Sequence, residues 1–158
     1  MICVDEFGPL ELRPYAGRSW QRRRRPARQR ATYTRREGVR HLLAAWDVGQ
    51  KTMWGHFRRR KRSREFLTFL KAIRRRYSGR IWIVMDNLSA HKTREVMAWA
   101  RQNNVRFQFT PTNASWLNGI ECQFTHLKKN VLTHCDYASF DEMRKAIHKY
   151  LRWRNRHQ

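Results

Sequence analysis

The chain has 158 residues, the size of one ordinary domain. It carries 35 lysine and arginine residues against 12 aspartate and glutamate residues, a formal net charge of +23 at pH 7. A compact body with this charge has a positive field over most of its surface, so we expect a polyanionic partner, and nucleic acid is favoured. No run approaches the ~18 apolar residues that a membrane span needs, which argues against a transmembrane segment.

The amino-terminal residues, MICVDE, lack the basic and apolar pattern of a secretory signal, so we expect the protein to stay in the cytoplasm. Its cysteines, Cys3, Cys122 and Cys135, are odd in number and have no paired CxxC spacing, which predicts free thiols. Cys122, His126, His134 and Cys135 have the residue types of a zinc site. Their spacing fits no common zinc motif, so this alternative is disfavoured.

The predicted strands are short apolar or alternating runs bounded by turn residues. They cover residues 2–7, 39–47, 52–57, 81–85 and 105–109. The first is stopped by Gly8-Pro9, and the second and third form a hairpin in which Gly49 supplies the turn. The fourth, IWIVM, is an unbroken apolar run, as expected for a central strand covered on both faces.

The predicted helices have apolar residues at spacings of three and four. They cover 63 to about 78, about 92–102, about 116–132, and a last helix from Ser139, where Ser139-Phe-Asp-Glu142 has the form of a capping box. The arginine-rich residues 13–40 lack such periodicity and are predicted to be a loop or arm. This order of elements predicts a single α/β domain, a mixed five-stranded sheet with helices on both faces, as in the ribonuclease H-like fold.

Carboxylates are the first candidates for chemistry, because metal-dependent phosphodiester cleavage needs two or three of them converging on a pair of divalent ions. Asp86 closes the central strand, at the carboxyl edge where ligand crevices of open α/β sheets form. Asp5 lies in the first strand, which neighbours the Asp86 strand in a ribonuclease H-like sheet. Glu6 points to the opposite face from Asp5, and periodicity alone does not choose between them.

Glu121 lies on the rim of the buried face of the third predicted helix, where a carboxylate can reach over the sheet edge. Asn118, three residues earlier, is predicted to share its side of the helix, and to orient Glu121 or touch a phosphate. Each acid also has a structural interpretation: Asp86 as a cap or turn residue, Asp5 as a surface acid, and Glu121 as a solvated partner of Lys128 or Thr125.

Three sequence blocks occur in order along the chain. They are Val4-Asp5-Glu6, Met85-Asp86-Asn87 through His91-Lys92, and Thr110-Pro111 through Asn113-Ala-Ser-Trp-Leu-Asn118-Gly-Ile-Glu121. Together they resemble the signature blocks of the DDE transposases of the mariner superfamily, and most closely those of its bacterial insertion-sequence branch. The interval between Asp86 and Glu121 is also the one typical of that branch.

The resemblance implies the catalytic core of a cut-and-paste transposase, in which Asp5, Asp86 and Glu121 bind two Mg²⁺ or Mn²⁺ ions. It implies phosphodiester hydrolysis at the ends of an element, followed by attack of the freed 3′-hydroxyl on target DNA. Double-stranded DNA, a homodimer in the DNA complex and a nucleoid-associated location are further expectations. Asn87 and His91 are expected to support the site, with His91 contacting DNA, positioning its loop or starting a helix.

Full-length relatives in this family carry an amino-terminal helix-turn-helix region that reads the terminal repeats of the element. The present chain begins at the first catalytic strand, so this region is expected to be absent. Two alternatives remain open: another ribonuclease H-like nuclease, which the blocks argue against, and a non-catalytic or truncated DNA-binding remnant of a transposase.

Basic runs in loop or helix positions form the candidate DNA-binding surface, although solvated surface is the ordinary interpretation of such runs. The candidate DNA-binding residues are Trp20, Arg22, Arg23, Arg24, Arg25, Arg58, Arg59, Arg60, Lys61 and Lys128. The interleaved aromatic residues Trp20, Tyr33 and Trp54 are expected to stack on splayed bases or sugars. In the mariner group the segment between the first two strands contacts DNA or a partner subunit, so the 13–40 arm is expected to do the same.

Overall fold

A computed structural model of the chain describes residues 1–18, 20–26, 28–30 and 37–157. The strands and α-helices of these residues are β1 (Ile2–Glu11), β2 (Val39–Asp47), β3 (Thr52–Arg58), α1 (Ser63–Arg74), β4 (Ile81–Met85), α2 (Arg94–Gln102), β5 (Val105–Phe109), α3 (Ile120–Leu127) and α4 (Phe140–Arg156). Short 3-10 turns cover Ser89–His91 and Ser115–Leu117, and the π-helical turn Lys128–Leu132 continues α3.

The strands form one mixed sheet in the order β3-β2-β1-β4-β5. The β1–β2 and β2–β3 pairs are antiparallel, whereas β1–β4 and β4–β5 are parallel. The predicted mixed five-stranded sheet is confirmed. Cys3 of β1 pairs with Val84 of β4, and continuing this register places Asp5 level with Asp86.

Helices cover both faces of the sheet, as predicted. Side chains alternate along each strand, so successive residues of β1 enter different cores. Ile2 and Val4 belong to the core under α1 and α2, and Cys3 belongs to the core under α3 and α4. Full burial of a large apolar side chain such as Phe66 contributes roughly 1.5–3 kcal/mol. No helix of the described residues has the length and apolar character to cross a membrane.

The first strand was predicted to stop at Gly8-Pro9. In the structure it continues to Glu11. Its pairing with β2 shifts register between Phe7 and Leu10, so the proline falls at an irregularity, where its missing N–H interrupts no regular ladder. Gly8 has φ +152°, and a Cβ there would lie 3.1 Å from the carbonyl oxygen of Arg40. Because β1 pairs with β2 on both sides of this irregularity, the strand continues past Gly8-Pro9.

Two predicted helices have different bounds in the structure. Helix α1 ends at Arg74, whose guanidinium donates to the carbonyl oxygen of Gly79 at 2.6 Å and folds the following segment back. The helix predicted over 116–132 is divided into the 3-10 turn Ser115–Leu117, α3 and the π-helical turn. The predicted capping box of α4 is present, because Glu142 N–H donates to Ser139 Oγ at 3.2 Å.

The end of α4 lies against the edge strand β3. Met53 N–H donates to Asn155 Oδ1 at 2.9 Å, and Asn155 Nδ2 donates to the carbonyl oxygen of Met53 at 2.8 Å. Arg154 donates to the carbonyl oxygen of Lys51 at 3.0 Å, and its guanidinium lies 4.3 Å from the centre of the Trp46 ring. These contacts fix the carboxyl-terminal helix to the β2–β3 hairpin.

Candidate active site

The candidate carboxylates come from two neighbouring strands and the helix beside them. Asp5 lies within β1, Asp86 directly follows β4, and Glu121 lies in the first turn of α3. Asp5 alternates with Ile2 and Val4 and therefore shares the face of Cys3, which packs under α3. The fold thus puts Asp5 and Glu121 on the same side of the sheet, beside the end of β4.

Asp5 occupies an environment that disfavours its charged form. Burial raises its pKa to about 7, against the lowering effect of the hydrogen bond from Glu6 N–H to Asp5 Oδ1 at 2.7 Å. The negative charges of Asp86, Glu121 and Glu6 raise this pKa further. Burial and the neighbouring acids therefore both disfavour the ionised form of Asp5.

Asn118 supports Asp5 and not Glu121, contrary to the prediction. It lies between the 3-10 turn and α3, and its side chain donates from Nδ2 to the carbonyl oxygen of Val4 at 2.9 Å and to Asp5 Oδ2 at 3.4 Å. Only its main-chain carbonyl meets Glu121, by accepting from Glu121 N–H at 3.0 Å. The break after the 3-10 turn removes the helical spacing on which the prediction depended.

His91 links Asp86 to Glu6. Its side chain is 0% exposed, with Nδ1 2.9 Å from Asp86 Oδ1 and Nε2 2.8 Å from Glu6 Oε1. The ring lies against Phe66, with centroids 4.0 Å apart. Burial alone lowers the pKa of His91, but the hydrogen bonds to Asp86 and Glu6 outweigh it and raise the pKa to about 9.

The consequence for Asp86 is a fixed and ionised carboxylate. The hydrogen bond from His91 holds the pKa of Asp86 below its ordinary value, and Leu88 N–H donates to the same Oδ1 at 3.1 Å. The burial of His91 excludes the expected direct contact with DNA. His91 is also the last residue of the Ser89–His91 turn and does not start a helix. Of the three expected roles of His91, positioning of its loop is the one compatible with this location.

Sequence reasoning missed the pairing of Glu6 with His91. Glu6 faces the α1 side of the sheet, and its Oε2 also lies 3.8 Å from Lys61 Nζ. Lys61, predicted only as a DNA contact, therefore has a partner within the protein. The alternation of β1 was a usable signal, because Glu6 shares the side of Ile2 and Val4 and so had to meet a polar partner beneath α1.

Two cavities flank the carboxylates. One of about 450 Å³ lies between β1 and α3 and is lined by Glu121, Lys128, Arg13 and their neighbours. Another of about 180 Å³ is lined by Asp86, Asn87 and residues 110–115. Asn87 donates to the carbonyl oxygen of Thr110 and accepts from Lys92, so it ties the loop after β4 to the end of β5.

The donor set suits a hard divalent cation. Carboxylate and carbonyl oxygens are the ligands that Mg²⁺ and Mn²⁺ prefer, and Asn118 Oδ1 is a buried oxygen without a hydrogen-bond partner among the described residues. Within the described ranges, no three His, Cys, Asp or Glu side chains stand close enough to hold an ion as they are. A bound cation would therefore have to draw the carboxylates inward.

The described parts of the predicted 13–40 arm have no regular helix or extended strand before β2, and they contact the segment that precedes α4. Tyr15 N–H donates to the carbonyl oxygen of Cys135 at 2.9 Å, and Arg30 pairs with Asp136 at 2.5 Å. Trp20 is fully exposed, and the arginines of the turn Arg22–Arg25 are exposed as well. Tyr33 lies outside the described residues.

The other basic candidates lie near the end of β3 and beside α3. Arg58 is half-buried, whereas Arg59, Arg60, Lys61 and Lys128 are exposed. Trp54 is not free to stack on a base, because the guanidinium of Arg76 lies 4.0 Å from its ring centre and Phe69 lies 5.2 Å away on the core side.

A family model described as "DDE superfamily endonuclease" matches residues 1–144. The chain belongs to this family of DDE endonucleases. The match spans all three sequence blocks and confirms the resemblance that they carry. The "Insertion element IS630 uncharacterized 39 kDa protein" of Shigella sonnei is 24% identical over 156 residues, which cover 95% of this chain and 44% of that protein.

Solved structures share the fold of this DDE endonuclease chain. The Mos1 strand transfer complex matches with a TM-score of 0.73 and 16% identity, over 99% of this chain and 50% of that one. The Mos1 mariner paired end complex with Mn matches with a TM-score of 0.72 and 17% identity, over 99% and 51%. The fold is therefore ribonuclease H-like, and the chain spans about half the length of these relatives.

Proposed function

We propose that this chain is the catalytic core of a cut-and-paste DNA transposase, with Asp5, Asp86 and Glu121 as ligands of two Mg²⁺ or Mn²⁺ ions. The observation that carries the proposal is the position of Asp5 on the strand directly beside β4. Burial there, with smaller contributions from the charges of Asp86 and Glu121, raises the pKa of Asp5 to about 7. The similarity to the Mos1 strand transfer and manganese complexes supports it.

The bound ions would stabilise the attacking and leaving oxygens of an in-line displacement at phosphorus. The chain's own residues hold the geometry: His91 fixes the Asp86 carboxylate, Asn118 fixes Asp5, and Asn87 fixes the loop after β4. The reaction is hydrolysis at an element end, followed by transesterification by the freed 3′-hydroxyl. It needs no covalent intermediate with the protein.

The proposed partner is double-stranded DNA, both element ends and target, bound by a homodimer in the bacterial cytoplasm and nucleoid. The net charge of +23 supports a polyanionic partner. The exposed Trp20, the Arg22–Arg25 turn and the cations after β3 are the proposed contacts outside the cleft. Lys128 lies in the same cavity as Glu121, where it can neutralise a phosphate next to the reacting one.

DNA binding is expected to depend steeply on salt, because each neutralised phosphate releases counterions. The slope of log affinity against log salt is about −0.9 per phosphate. Replacing Arg22, Arg23, Arg24 and Arg25 together by Ala should make this slope shallower by up to about 3.6, measured by fluorescence anisotropy. Replacing Arg144 and Lys145, which pair with Asp141 on α4, provides the control. An unchanged slope in the arginine variant would remove this turn from the DNA contact.

Cleavage of duplex DNA tests the proposed function. Wild type is expected to cut in Mn²⁺ or Mg²⁺ and not in EDTA, whereas Asp86→Asn should fold and bind DNA without cutting it. Asp141→Asn is the control, because this exposed acid lies on α4 and pairs only with Arg144 and Lys145 among the described ion pairs. Cutting by Asp86→Asn at the wild-type rate would refute the mechanism. Salt-dependent binding by a wild type that never cuts would favour the non-catalytic remnant.

A further inference from the structure

Two adjacent apolar side chains protrude beside the acidic cluster. Trp116 is 73% exposed and Leu117 is 58% exposed, and both belong to the 3-10 turn directly before Asn118. Isolated exposed hydrophobic residues are ordinary on protein surfaces. An exposed tryptophan and an exposed leucine that are consecutive in sequence, on the turn leading into the candidate active site, instead mark a surface that is covered when a ligand binds.

The turn that carries this pair is fixed to the site. Leu117 N–H donates to the carbonyl oxygen of Ala114 at 3.1 Å, and Asn118 N–H donates to that of Ser115 at 2.8 Å. The Asn118 side chain is buried and donates to β1 and to Asp5 Oδ2. Trp116 is two residues from this anchor, a separation of at most ~7 Å along the chain. Trp116 therefore belongs to the turn that Asn118 fixes beside Asp5, next to the proposed site of the scissile phosphate.

The chemistry of the surroundings selects the ligand. The net charge of +23 calls for a polyanion, and among polyanions nucleic acid offers flat aromatic rings. An anionic lipid surface also accepts tryptophan, leucine and basic residues together. A nucleobase is favoured because Trp116 and Leu117 lie on the turn that Asn118 fixes to Asp5, and the proposed substrate of this carboxylate is a phosphodiester. Binding to a lipid surface would not require that connection to Asp5.

We propose that Trp116 and Leu117 form a platform that stacks on an unpaired base next to the scissile phosphate. This inference rests on the proposed function and deepens it. The indole covers one face of the base, Leu117 packs against its edge, and Asn118 holds both in register with Asp5. Stacking of this kind tolerates any base, because every base has a π face. The platform holds a frayed end open without reading its sequence.

Binding of a short duplex with a single-stranded overhang tests the platform. The overhang carries 2-aminopurine beside the junction, and a fully paired duplex is the reference, both in Ca²⁺. Wild type should quench the 2-aminopurine and prefer the overhang. Trp116→Ala should lose the quenching and weaken overhang binding by about 5- to 150-fold, with little change for the paired duplex. Trp116→Phe should recover part of both.

Trp82→Ala is the matched control, because Trp82 is 50% exposed and lies at the opposite end of β4 from Asp86. Unchanged quenching and affinity in Trp116→Ala would overturn the platform. So would loss of binding to phosphatidylserine vesicles with intact DNA binding, which would assign the pair to a lipid surface. The proposed function is tested by a different experiment: it fails if Asp86→Asn still cuts DNA. That result would not change the 2-aminopurine quenching, which is measured in Ca²⁺ without cleavage.

Discussion

Replacing Asp5 by Asn is expected to abolish cleavage and to stabilise the metal-free protein at neutral and alkaline pH. The pKa of Asp5 is raised in the folded state from 3.8 to about 7, so the folded protein binds an extra proton between these values. Stability consequently falls as pH rises from about 4 to about 7, and the full penalty persists above that range. Asn carries no charge and avoids the penalty.

The expected gain is about 1–3 kcal/mol, reduced from the full shift because Asp5 keeps some contact with solvent. This corresponds to roughly 2–10 °C in melting temperature for a chain of this size. Loss of a ligand that stabilises the transition-state charge by several kcal/mol should lower the cleavage rate at least ~1000-fold.

Melting temperatures in EDTA across this pH range, with cleavage rates in Mn²⁺, measure both effects. Asp141→Asn is the control, because Lys145 and Arg144 lower the pKa of that exposed acid to about 2. Saturating Mn²⁺ should stabilise wild type, by ~2.7 kcal/mol at 100 times the dissociation constant, and should hardly affect Asp5→Asn. An Asp5→Asn protein that melts at or below wild type at alkaline pH would show that the fold does not disfavour the charged form of Asp5.

Replacing His91 by Ala is expected to cost about 3–5 kcal/mol, because it leaves Asp86 and the buried Glu6 without their shared partner. The pKa of His91 is raised from 6.5 to about 9. A raised pKa of a basic group means that its stabilising effect is complete below about 6.5 and is lost as pH rises through 9. Wild type should therefore lose stability over this interval, and His91→Ala should not.

Two isosteric variants separate the two hydrogen bonds of His91. Asn places a donor near the position of Nδ1 and should retain the contact with Asp86, whereas Gln places one near Nε2 and should retain the contact with Glu6. Since Asp86 is the proposed metal ligand, Mn²⁺ affinity and cleavage should survive better in His91→Asn than in His91→Gln. Glu6→Gln combined with His91→Ala should be less destabilised than the sum of the single changes. Equal melting of His91→Ala and wild type would contradict the bridge.

Local patterns were sufficient to predict the elements and their layering. Strand β4 packs against the cores on both faces of the sheet and is therefore an unbroken apolar run. Helix α1 is buried on one face, so its apolar residues recur every three or four positions. Both patterns are visible within the sequence of the single element. The placement of Asp86 after β4 followed from the same patterns. Its position beside the strand that carries Asp5 was predicted from the likeness of the element order to a ribonuclease H-like sheet, and the strand order agrees with it.

The predictions that failed depended on distant contacts. Gly8-Pro9 does not end β1, because pairing with β2 outweighs the local stop signal. His91 meets Glu6 across 85 positions of the chain, a contact that no window of sequence contains. Asn118 missed its predicted place because its backbone is extended and its side chain meets Val4, 114 positions away along the chain. Helical spacing cannot report where a helix is interrupted.

The amide of Asn155 occupies both main-chain groups of Met53 on the outer edge of β3. An edge strand with free groups is a template for strand addition by another chain, which leads to intermolecular sheets and aggregation. In this domain a foreign strand must first displace the last turn of α4, and helix ends fray more readily than any other part of a helix. Resistance to aggregation at this edge is therefore set by the docking of the final helical turn, so that conditions loosening this turn would open the sheet to self-association before the core unfolds.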